Sequence, residues 1–351
     1  MVQTIVKIGT GFLILAALFL HCTDSRMSII PTPQEWHWQK GLFKVSDHTP
    51  CFCSPAGEEA DRFLRLIHEK SGCRLTANRL QEWPDHPQGC YLVLLDSSKA
   101  VDWLAGRGLA LAPEHRQEGY LLVVEPERLV LAAYTETGLF YGMQSLDFLW
   151  QKRGVAAVTI RDWPAMAWRG VSDDISRGQI STPAHFERII KTLASFKINR
   201  YLLYMEDVLE CRAYPSLTQR GGGLSARDVK VLQDLAEQNH MELIPVFQTL
   251  GHYENILQQA EFLALADYPG AASLNVTNPQ TYLFLKNCLD ELTTVFRSPH
   301  VHIGGDESFD VGRGASRRLT AEVGPARVHA DHYNKVIDRK STRLNSSHRI
   351  R

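Results

Sequence analysis

The sequence has no excess of charge of either sign, because 38 Lys and Arg residues are matched by 39 Asp and Glu residues, giving a formal net charge of −1. Such a balance provides no electrostatic reason to bind nucleic acid or an anionic membrane surface. The sequence also lacks the spaced clusters of cysteine and histidine that form zinc sites. We therefore expect no nucleic-acid partner, no metal and no cofactor. An apolar content of 44% is ordinary for a globular protein.

Long hydrophobic runs are scarce as well. The apolar run 8–20 is too short to span a membrane comfortably, but it follows Lys7 and has the length of an export-signal core. Cys22 follows Leu-Phe-Leu-His, which loosely resembles a bacterial lipoprotein cleavage site, although His21 stands where a small residue is expected. Residues 1–26 are therefore predicted to be a signal peptide or lipoprotein signal. The chain is predicted to be exported, as a periplasmic protein, an outer-membrane lipoprotein anchored through Cys22, or an extracellular protein.

Cysteine is infrequent, and no spacing among the seven residues identifies a disulfide. Outside the cytoplasm, pairing among the four that fall between positions 51 and 90 stays open. The last two are predicted to be buried free thiols. The seven are Cys22, Cys51, Cys53, Cys73, Cys90, Cys211 and Cys288.

The chain is long enough for two domains, and its patterns change near residue 162. Residues 27–162 mix strand and helix patterns without clustering catalytic residue types, so a small supporting α/β domain is predicted there. Its predicted elements are strands at 42–45 and 90–95, a hairpin of 120–124 with 129–133, and helices at 56–70 and 136–150.

Residues 163–339 alternate between strand and helix patterns. Four strand-helix units in parallel order are typical of an open doubly wound sheet or of half a (β/α)₈ barrel. The predicted strands are 170–175, 200–205, 242–247 and 300–304, and the predicted helices are 183–196, 225–239, 279–296 and roughly 327–338.

Polar side chains follow each predicted strand of this second region. The most telling stretch is 301–307, Val-His-Ile-Gly-Gly-Asp-Glu, where two glycines free the backbone to aim both carboxyls at one small volume. Two converging carboxyls repel, which keeps one of them protonated nearer to neutral pH and suits a general acid beside a charged helper. Asp173 with Asp174, Glu206 with Asp207, and Gln248 with His252 occupy the corresponding ends of the earlier strands. The pattern predicts an active site on the rim formed by the carboxyl ends of the strands.

These residues resemble the family 20 glycoside hydrolases, the β-N-acetylhexosaminidases. The resemblance implies a small α/β domain followed by a (β/α)₈ TIM barrel, of which only about the first four strand-helix units are present. It also implies glycans that contain N-acetylhexosamine as partners. The matching segments are 31–33 (PTP), 41–43 (GLF), 138–142 (GLFYG), 169–177 (RGVSDDISR), 251–252 (GH) and 302–307 (HIGGDE).

The same resemblance assigns a role to each candidate residue. Glu307 would be the acid and base, and Asp306 would orient the 2-acetamido group of the substrate, so that the sugar supplies its own nucleophile. Arg169 would grip sugar hydroxyls, with an ion pair to Asp174 or Asp207 as the structural alternative. Asp207 and His252 would support the acid, and His252 has the alternative of a structural histidine.

The sequence also departs from the family pattern. Residues 204–208 read Tyr-Met-Glu-Asp-Val, and Gln248 stands where many members have Asp, which leaves the choice between glucosamine and galactosamine open. Residues 340–351 are polar and are predicted to be a non-native tail that breaks the last helix. A half barrel exposes sheet edges, so this chain by itself is predicted to be poorly stable and inactive. The alternatives are a non-catalytic carbohydrate-binding protein and a lacto-N-biosidase-like glycosidase.

Overall fold

A computed structural model of the chain describes residues 29–344 except 55, 97, 153 and 219–221. The predicted signal at 1–26, Cys22 and residues 345–351 of the predicted tail lie outside the described residues. The chain divides into two compact units, the first ending at Ala165 and the second beginning at Met166.

The first unit is built on one mixed sheet. Its strand order is β1-β8-β5-β6-β4-β2-β3, with the short β7 paired to β8. The strands around β8 and β5 are antiparallel, whereas β6, β4, β2 and β3 run parallel to one another. The strands are β1 Glu35–Phe43, β2 Cys51–Ser54, β3 Ala77–Arg79, β4 Gly89–Leu94, β5 Tyr120–Glu125, β6 Arg128–Ala133, β7 Trp150–Gln151 and β8 Gly154–Asp162.

The predicted hairpin is confirmed as β5 and β6, which pair antiparallel from Tyr120 opposite Ala133 to Glu125 opposite Arg128. Its side chains are buried almost throughout. Leu121, Val123, Val130 and Ala132 belong to a core cluster that includes Trp83, and helix α3 (Glu136–Phe148) packs against both strands. The predicted helices at 56–70 and 136–150 are confirmed with small shifts at their ends. The helices of this unit are α1 Glu58–Ser71, α2 Ser98–Ala105 and α3 Glu136–Phe148.

The first strand is longer than predicted, and its partner β8 was not predicted at all. The prediction of 42–45 was wrong because most side chains of β1 are exposed or half exposed, so the hydrophobic alternation that marks a strand is weak. Pairing with β8 sets this strand instead, through a register that shifts between Trp38 and Leu42. Tertiary pairing therefore overrides the local pattern here.

The second unit contains a three-stranded parallel sheet in the order β11-β10-β9. Two of its strands begin and end where the sequence predicted. On β10, Tyr201, Leu203 and Met205 are buried and the intervening side chains are half buried, which is the alternation expected of a strand with one covered face. The strands are β9 Gly170–Asp174, β10 Arg200–Met205 and β11 Glu242–Phe247.

The helices of the second unit start at clear capping signals. Thr182 accepts a hydrogen bond from His185 N before α4, Ser225 forms a capping box with Asp228 before α5, and Asn278 accepts from Gln280 N before α7. The last helix continues to Leu344, so the prediction of a break near 338 was wrong. The helices are α4 Pro183–Ser195, α5 Ala226–Gln238, α6 Glu254–Leu257, α7 Pro279–Val295, α8 Arg317–Val323 and α9 Pro325–Leu344.

The predicted fourth strand at 300–304 is reduced to a single parallel bridge between Val246 and His302. His302 N donates to the carbonyl of Pro245 at 3.0 Å, and the carbonyl of His302 accepts from Phe247 N at 2.9 Å. The ladder stops there because the next glycine, Gly304, has a φ of 70°, outside the extended region. The segment nevertheless runs parallel to β11 far enough to bring residues 306 and 307 to the carboxyl end of that strand.

Candidate active site at the carboxyl ends of the strands

Seven side chains from four successive strand ends form one group, which we call the rim cluster. Parallel strands deliver these residues to a single edge, because their carboxyl ends lie side by side. The cluster joins the loop after β9, the end of β10, the loop after β11 and the segment after the His302 bridge. Its members are Arg177, Tyr204, Glu206, Gln248, His252, Asp306 and Glu307.

Asp306 is held by two neighbours from the loop after β11. Gln248 Nε2 donates to Asp306 Oδ1 at 2.8 Å, and His252 Nε2 lies 3.3 Å from Asp306 Oδ2. The hydrogen bond from Gln248, followed by the smaller contribution of His252, lowers the pKa of Asp306. The prediction that one carboxyl of the pair is held protonated therefore does not apply to Asp306, which is stabilised as the carboxylate.

Glu307 lies beside the same histidine but is more loosely held. Its Oε2 is 3.6 Å from His252 Nε2, and its side chain is 62% exposed, as is that of Asp306. Both Glu307 and His252 have positive φ, 49° and 62°, a conformation that costs energy for residues other than glycine. Strained backbone at two contacting residues indicates that their side-chain directions are maintained by the surrounding structure.

Gln248 fixes the orientation of the site through both ends of its amide. Its Oε1 accepts from Gly305 N at 3.3 Å, which leaves Nε2 to donate to Asp306 and to Tyr204 Oη, the latter at 3.1 Å. A Cβ at Gly304 would lie 1.8 Å from Gln248 Oε1. Glycine at 304 is therefore required by this close approach as well as by its positive φ.

Glu206 is the buried carboxyl of the cluster. Its Oε1 accepts from Tyr204 Oη at 3.1 Å and lies 3.0 Å from Arg177 Nη2 and 3.8 Å from His252 Nδ1. Burial raises its pKa even though Arg177 opposes the shift. His252 thus stands between a buried acidic group and the exposed Asp306 and Glu307 pair.

Arg177 links the ends of β9 and β10. Its Nε donates to Asp174 Oδ2 at 2.9 Å while its Nη2 reaches Glu206. Burial works against ionisation of Asp174, but hydrogen bonds from Ser176 and Arg177 outweigh it and lower the pKa of that carboxyl. The side chain of Arg177 is 57% exposed, so the guanidinium is accessible at the rim.

The structure does not bring Arg169 to the rim cluster. This residue precedes β9, and its guanidinium donates to the backbone carbonyls of Lys197 and Met166, each at 2.7 Å. It therefore lies at the amino ends of the strands, opposite the carboxyl ends where the carboxylates gather. The predicted pairing with Asp174 belongs instead to Arg177, which the sequence signals by its position three residues beyond that aspartate.

Asp207 is also displaced from its predicted place. Of the two acidic residues that follow β10, Glu206 is the one near His252, whereas Asp207 is 9% exposed and lines a separate cavity. The sequence does contain a signal for Glu206 in the alternation of β10, because Tyr204 and Glu206 are two residues apart and therefore share a face. His252, Asp306 and Glu307 do come together as predicted.

In the part of the chain that the structure describes, no three His, Cys, Asp or Glu side chains are grouped so that they are able to hold a metal ion. No helix in the same residues is both long and apolar enough to cross a membrane.

The second unit, whose parallel strands present acidic side chains at their carboxyl ends, has a TIM-barrel-type α/β fold, as its family match and the similar solved structures support. Family models identify the lineage. Residues 26–163 match the model described as glycosyl hydrolase family 20, domain 2, and residues 166–339 match the catalytic domain of the same family. The chain belongs to glycosyl hydrolase family 20.

Relatives are similar over part of their length. A beta-hexosaminidase of Porphyromonas gingivalis is 24% identical over 322 residues, which cover 81% of this chain and 39% of that protein. A lacto-N-biosidase of Bifidobacterium bifidum is 28% identical over 208 residues, which cover 55% of this chain and 18% of the relative. The chain thus spans less than half the length of either relative.

Solved structures show the same fold. A chitobiase of Flavobacterium johnsoniae superposes with a TM-score of 0.73 at 18% identity, covering 92% of this chain and 52% of its own. An N-acetyl-β-hexosaminidase of Streptomyces plicatus superposes with a TM-score of 0.64 at 24% identity, covering 88% and 64% respectively. At these identities the likeness concerns the fold alone.

Proposed function

We propose that the protein hydrolyses terminal, non-reducing N-acetyl-β-hexosamine residues, GlcNAc or GalNAc, from glycans. The observation that carries the proposal is the adjacent pair Asp306 and Glu307, presented beyond a strand end with His252 in reach of both carboxyls. Family membership and the similarity to a beta-hexosaminidase of Porphyromonas gingivalis support it.

Glu307 is the proposed general acid and base. It protonates the glycosidic oxygen as the bond to the anomeric carbon breaks, and it later removes a proton from the water that attacks the same carbon. Its exposed carboxyl is accessible to both the leaving group and water. A positioned acid or base of this kind contributes roughly 10²- to 10⁴-fold to rate.

Asp306 is the proposed partner of the 2-acetamido group. As a carboxylate it accepts the acetamido N–H, so that the acetamido oxygen bonds to the anomeric carbon and displaces the aglycone. Water then opens the oxazolinium ring, and the two inversions leave the configuration retained. The lowered pKa of Asp306 supports this role, because only the ionised carboxyl stabilises the cationic ring.

Arg177 is the proposed ligand of sugar hydroxyls, in place of Arg169. Its guanidinium is a fixed fork of donors, held at the rim by Asp174 and Glu206, and it suits adjacent hydroxyl groups. His252 and Glu206 are proposed to position the catalytic pair.

We also propose that residues 166–339 make up about the first four of eight strand-helix units. The match to the catalytic-domain model over those residues and the 52% coverage of the chitobiase chain support this. Purified as 351 residues, the chain is then expected to be poorly stable and to show no turnover. Measurable hydrolysis by that polypeptide would contradict the proposal, so the assays below use the product of the whole gene.

The experiment that tests the proposed function compares two substrates of different leaving-group ability. Glu307→Gln is expected to lower kcat/KM by about 10²- to 10⁴-fold for N,N′-diacetylchitobiose, whose leaving sugar needs a proton. The loss is expected to be smaller for a nitrophenyl N-acetyl-β-glucosaminide, whose leaving group does not. Asp306→Asn is expected to slow both substrates, and the exposed Glu187→Gln on α4 is the matched control.

Wild-type turnover of diacetylchitobiose by Glu307→Gln would contradict the assignment of the acid. Binding of the disaccharide without hydrolysis by the wild-type protein would favour a non-catalytic carbohydrate-binding protein.

The second candidate is a lacto-N-biosidase-like glycosidase, which the 28% identity to the Bifidobacterium bifidum protein favours. Both candidates use the same catalytic pair, but this one removes a disaccharide. Nitrophenyl lacto-N-bioside and nitrophenyl N-acetyl-β-glucosaminide separate the two, because exclusive release from the former would replace the first proposal with the second.

We further propose that the protein is exported, on the strength of the apolar run 8–20 after Lys7. Cell fractionation with sequencing of the mature amino terminus tests this, and a cytoplasmic protein that retains Met1 would contradict it. Loss of membrane association in Cys22→Ser is the result expected if Cys22 carries a lipid.

A further inference from the structure

A cavity of about 780 Å³ lies beside the rim cluster, between the first two turns of α4 and those of α5. Buried apolar side chains form its walls, among them Ile175, Phe186 and Leu232. Val231, which is 52% exposed, adds an accessible apolar surface. The size lies within the range of about 300 to 1,000 Å³ that is usual for ligand pockets.

Asp207 gives this cavity a polar anchor. It is only 9% exposed, and its carboxyl accepts a hydrogen bond from its own backbone N–H. Within the described ranges, no other group is found donating to that carboxyl. Burial raises its pKa. A buried acceptor of this kind is costly unless a ligand satisfies it.

The loop after β9 connects the cavity to the rim cluster. Ser176 lines the cavity, and its backbone N–H and hydroxyl both donate to Asp174 Oδ1, at 3.0 and 2.6 Å. The other oxygen of Asp174 accepts from Arg177. On the neighbouring strand end, Asp207 faces the cavity and Glu206 faces the cluster.

We propose that this cavity is a second carbohydrate site, which holds a further pyranose ring of the glycan outside the rim cluster. The proposal rests on the proposed function for the class of ligand. A pyranose presents apolar C–H faces, which suit the walls, and hydroxyl donors, which suit an acceptor-only carboxylate. Arg227 also lines the cavity, but a phosphate or sulfate group in contact with Asp207 is disfavoured because the buried carboxylate repels it.

The loop after β9 predicts how this second site affects the rim cluster. A sugar that contacts Ser176 and Asp207 restricts the motion of the loop that carries Asp174 and Arg177. Occupation of the cavity is therefore expected to hold Arg177 in place and to favour longer glycans over a single sugar residue.

The test counts binding sites by calorimetry with N,N′-diacetylchitobiose, using the full-length protein with Glu307→Gln so that the probe is not hydrolysed. Val231→Lys places a long cation at the exposed mouth of the cavity, where little packing is lost. It is expected to abolish one of two binding events, whereas Ala226→Lys, at an exposed position of the same helix that does not line the cavity, keeps both. Asp207→Asn is expected to weaken the same event at least tenfold.

A single binding event in every variant, or two events that Val231→Lys and Asp207→Asn leave unchanged, would overturn the proposal. The outcomes separate the two claims about this protein. Wild-type turnover with binding insensitive to Val231→Lys refutes the second site alone. Absent turnover with one event lost in Val231→Lys refutes the proposed hydrolysis and keeps the second site.

Discussion

At the scale of single residues, the site depends on backbone conformations that few residues accept. Glu307 and His252 both have positive φ. Gly304 has a φ of 70°, and Gln248 Oε1 occupies the space that a Cβ at position 304 would need. These positions store strain at the point where the carboxyls are aimed. This strain is maintained by the hydrogen bonds that Gln248 donates to Asp306 and accepts from Gly305 N, and by the burial of His252.

The first prediction at this scale tests whether Arg177, and not Arg169, binds the sugar hydroxyls. Arg177→Lys is expected to lower kcat/KM by about 10- to 100-fold, because a hydrogen bond involving a charged group is worth about 1.5–3 kcal/mol. Arg169→Lys is the matched comparison, and it is expected to lower the free energy of unfolding while kcat/KM changes little. Steady-state kinetics and urea unfolding of both variants provide the measurement, and the reverse pattern would return the sugar-binding role to Arg169.

Gly304 leads to the second prediction. Gly304→Ala is expected to push the Gln248 amide away from Asp306, which removes the main cause of the lowered pKa of that carboxyl. The acidic limb of the pH dependence of kcat/KM is then expected to move to higher pH, with a lower maximum. Gly270→Ala is a matched control, because it also has positive φ but open space around its Cβ. Equal effects of the two substitutions would mean that backbone strain alone matters.

At the scale of elements, α9 is joined to the loop after β11 by a buried histidine. His332 Nε2 donates to the carbonyl of Thr249 at 2.9 Å, so its Nδ1 is the acceptor that faces Tyr282 Oη at 3.3 Å. Burial lowers the pKa of His332 to about 4, and the nearby His329 and Lys335 add to the effect. The neutral imidazole is therefore part of the packing of α9 against the strand ends.

This histidine predicts how stability changes with pH. Between its ordinary pKa of 6.5 and about 4, the unfolded chain binds a proton that the folded chain does not, so the free energy of unfolding falls as pH falls through this window. The full difference corresponds to about 3 kcal/mol. His332→Gln is expected to flatten the slope, measured by urea unfolding at pH 7.5, 6 and 5. An unchanged slope in the variant would assign the pH dependence to other groups.

At the scale of the whole molecule, the two units differ in how completely their sheets are paired. The first unit has an eight-stranded sheet whose central strands, β5 and β6, are buried almost throughout. In the second unit, β9 is exposed along most of its length and pairs only with β10 among the described strands. An exposed, partly paired edge is the less stable arrangement.

We therefore expect residues 29–165 to fold as a separate polypeptide, because the contacts of their sheet and helices lie within that unit. Far-UV circular dichroism and thermal unfolding of this fragment are the measurements, with a cooperative transition as the expected result. Residues 166–344 expressed alone are expected to unfold at lower temperature. A fragment 29–165 without a cooperative transition would show that its core depends on the second unit.

Local sequence patterns are sufficient to predict the family, the three strands and four of the helices of the second unit, and the carboxyl pair at its edge. Local signals suffice for these features, since a helix needs its apolar period and cap, and a buried strand needs a short apolar run. Arg200–Met205 and Glu242–Phe247 illustrate this, because both strands have the limits that their sequence predicts.

Which polar side chains meet depends on tertiary contacts that the sequence pattern does not contain. Arg169 and Arg177 belong to one motif, yet the first lies before β9 and the second beyond it, at opposite ends of the strand. Glu206 and Asp207 are neighbours in sequence but face different spaces, the rim cluster and the cavity. The physical reason is that side-chain direction depends on strand register, on loop conformation and on pairing with distant segments, none of which a local pattern contains.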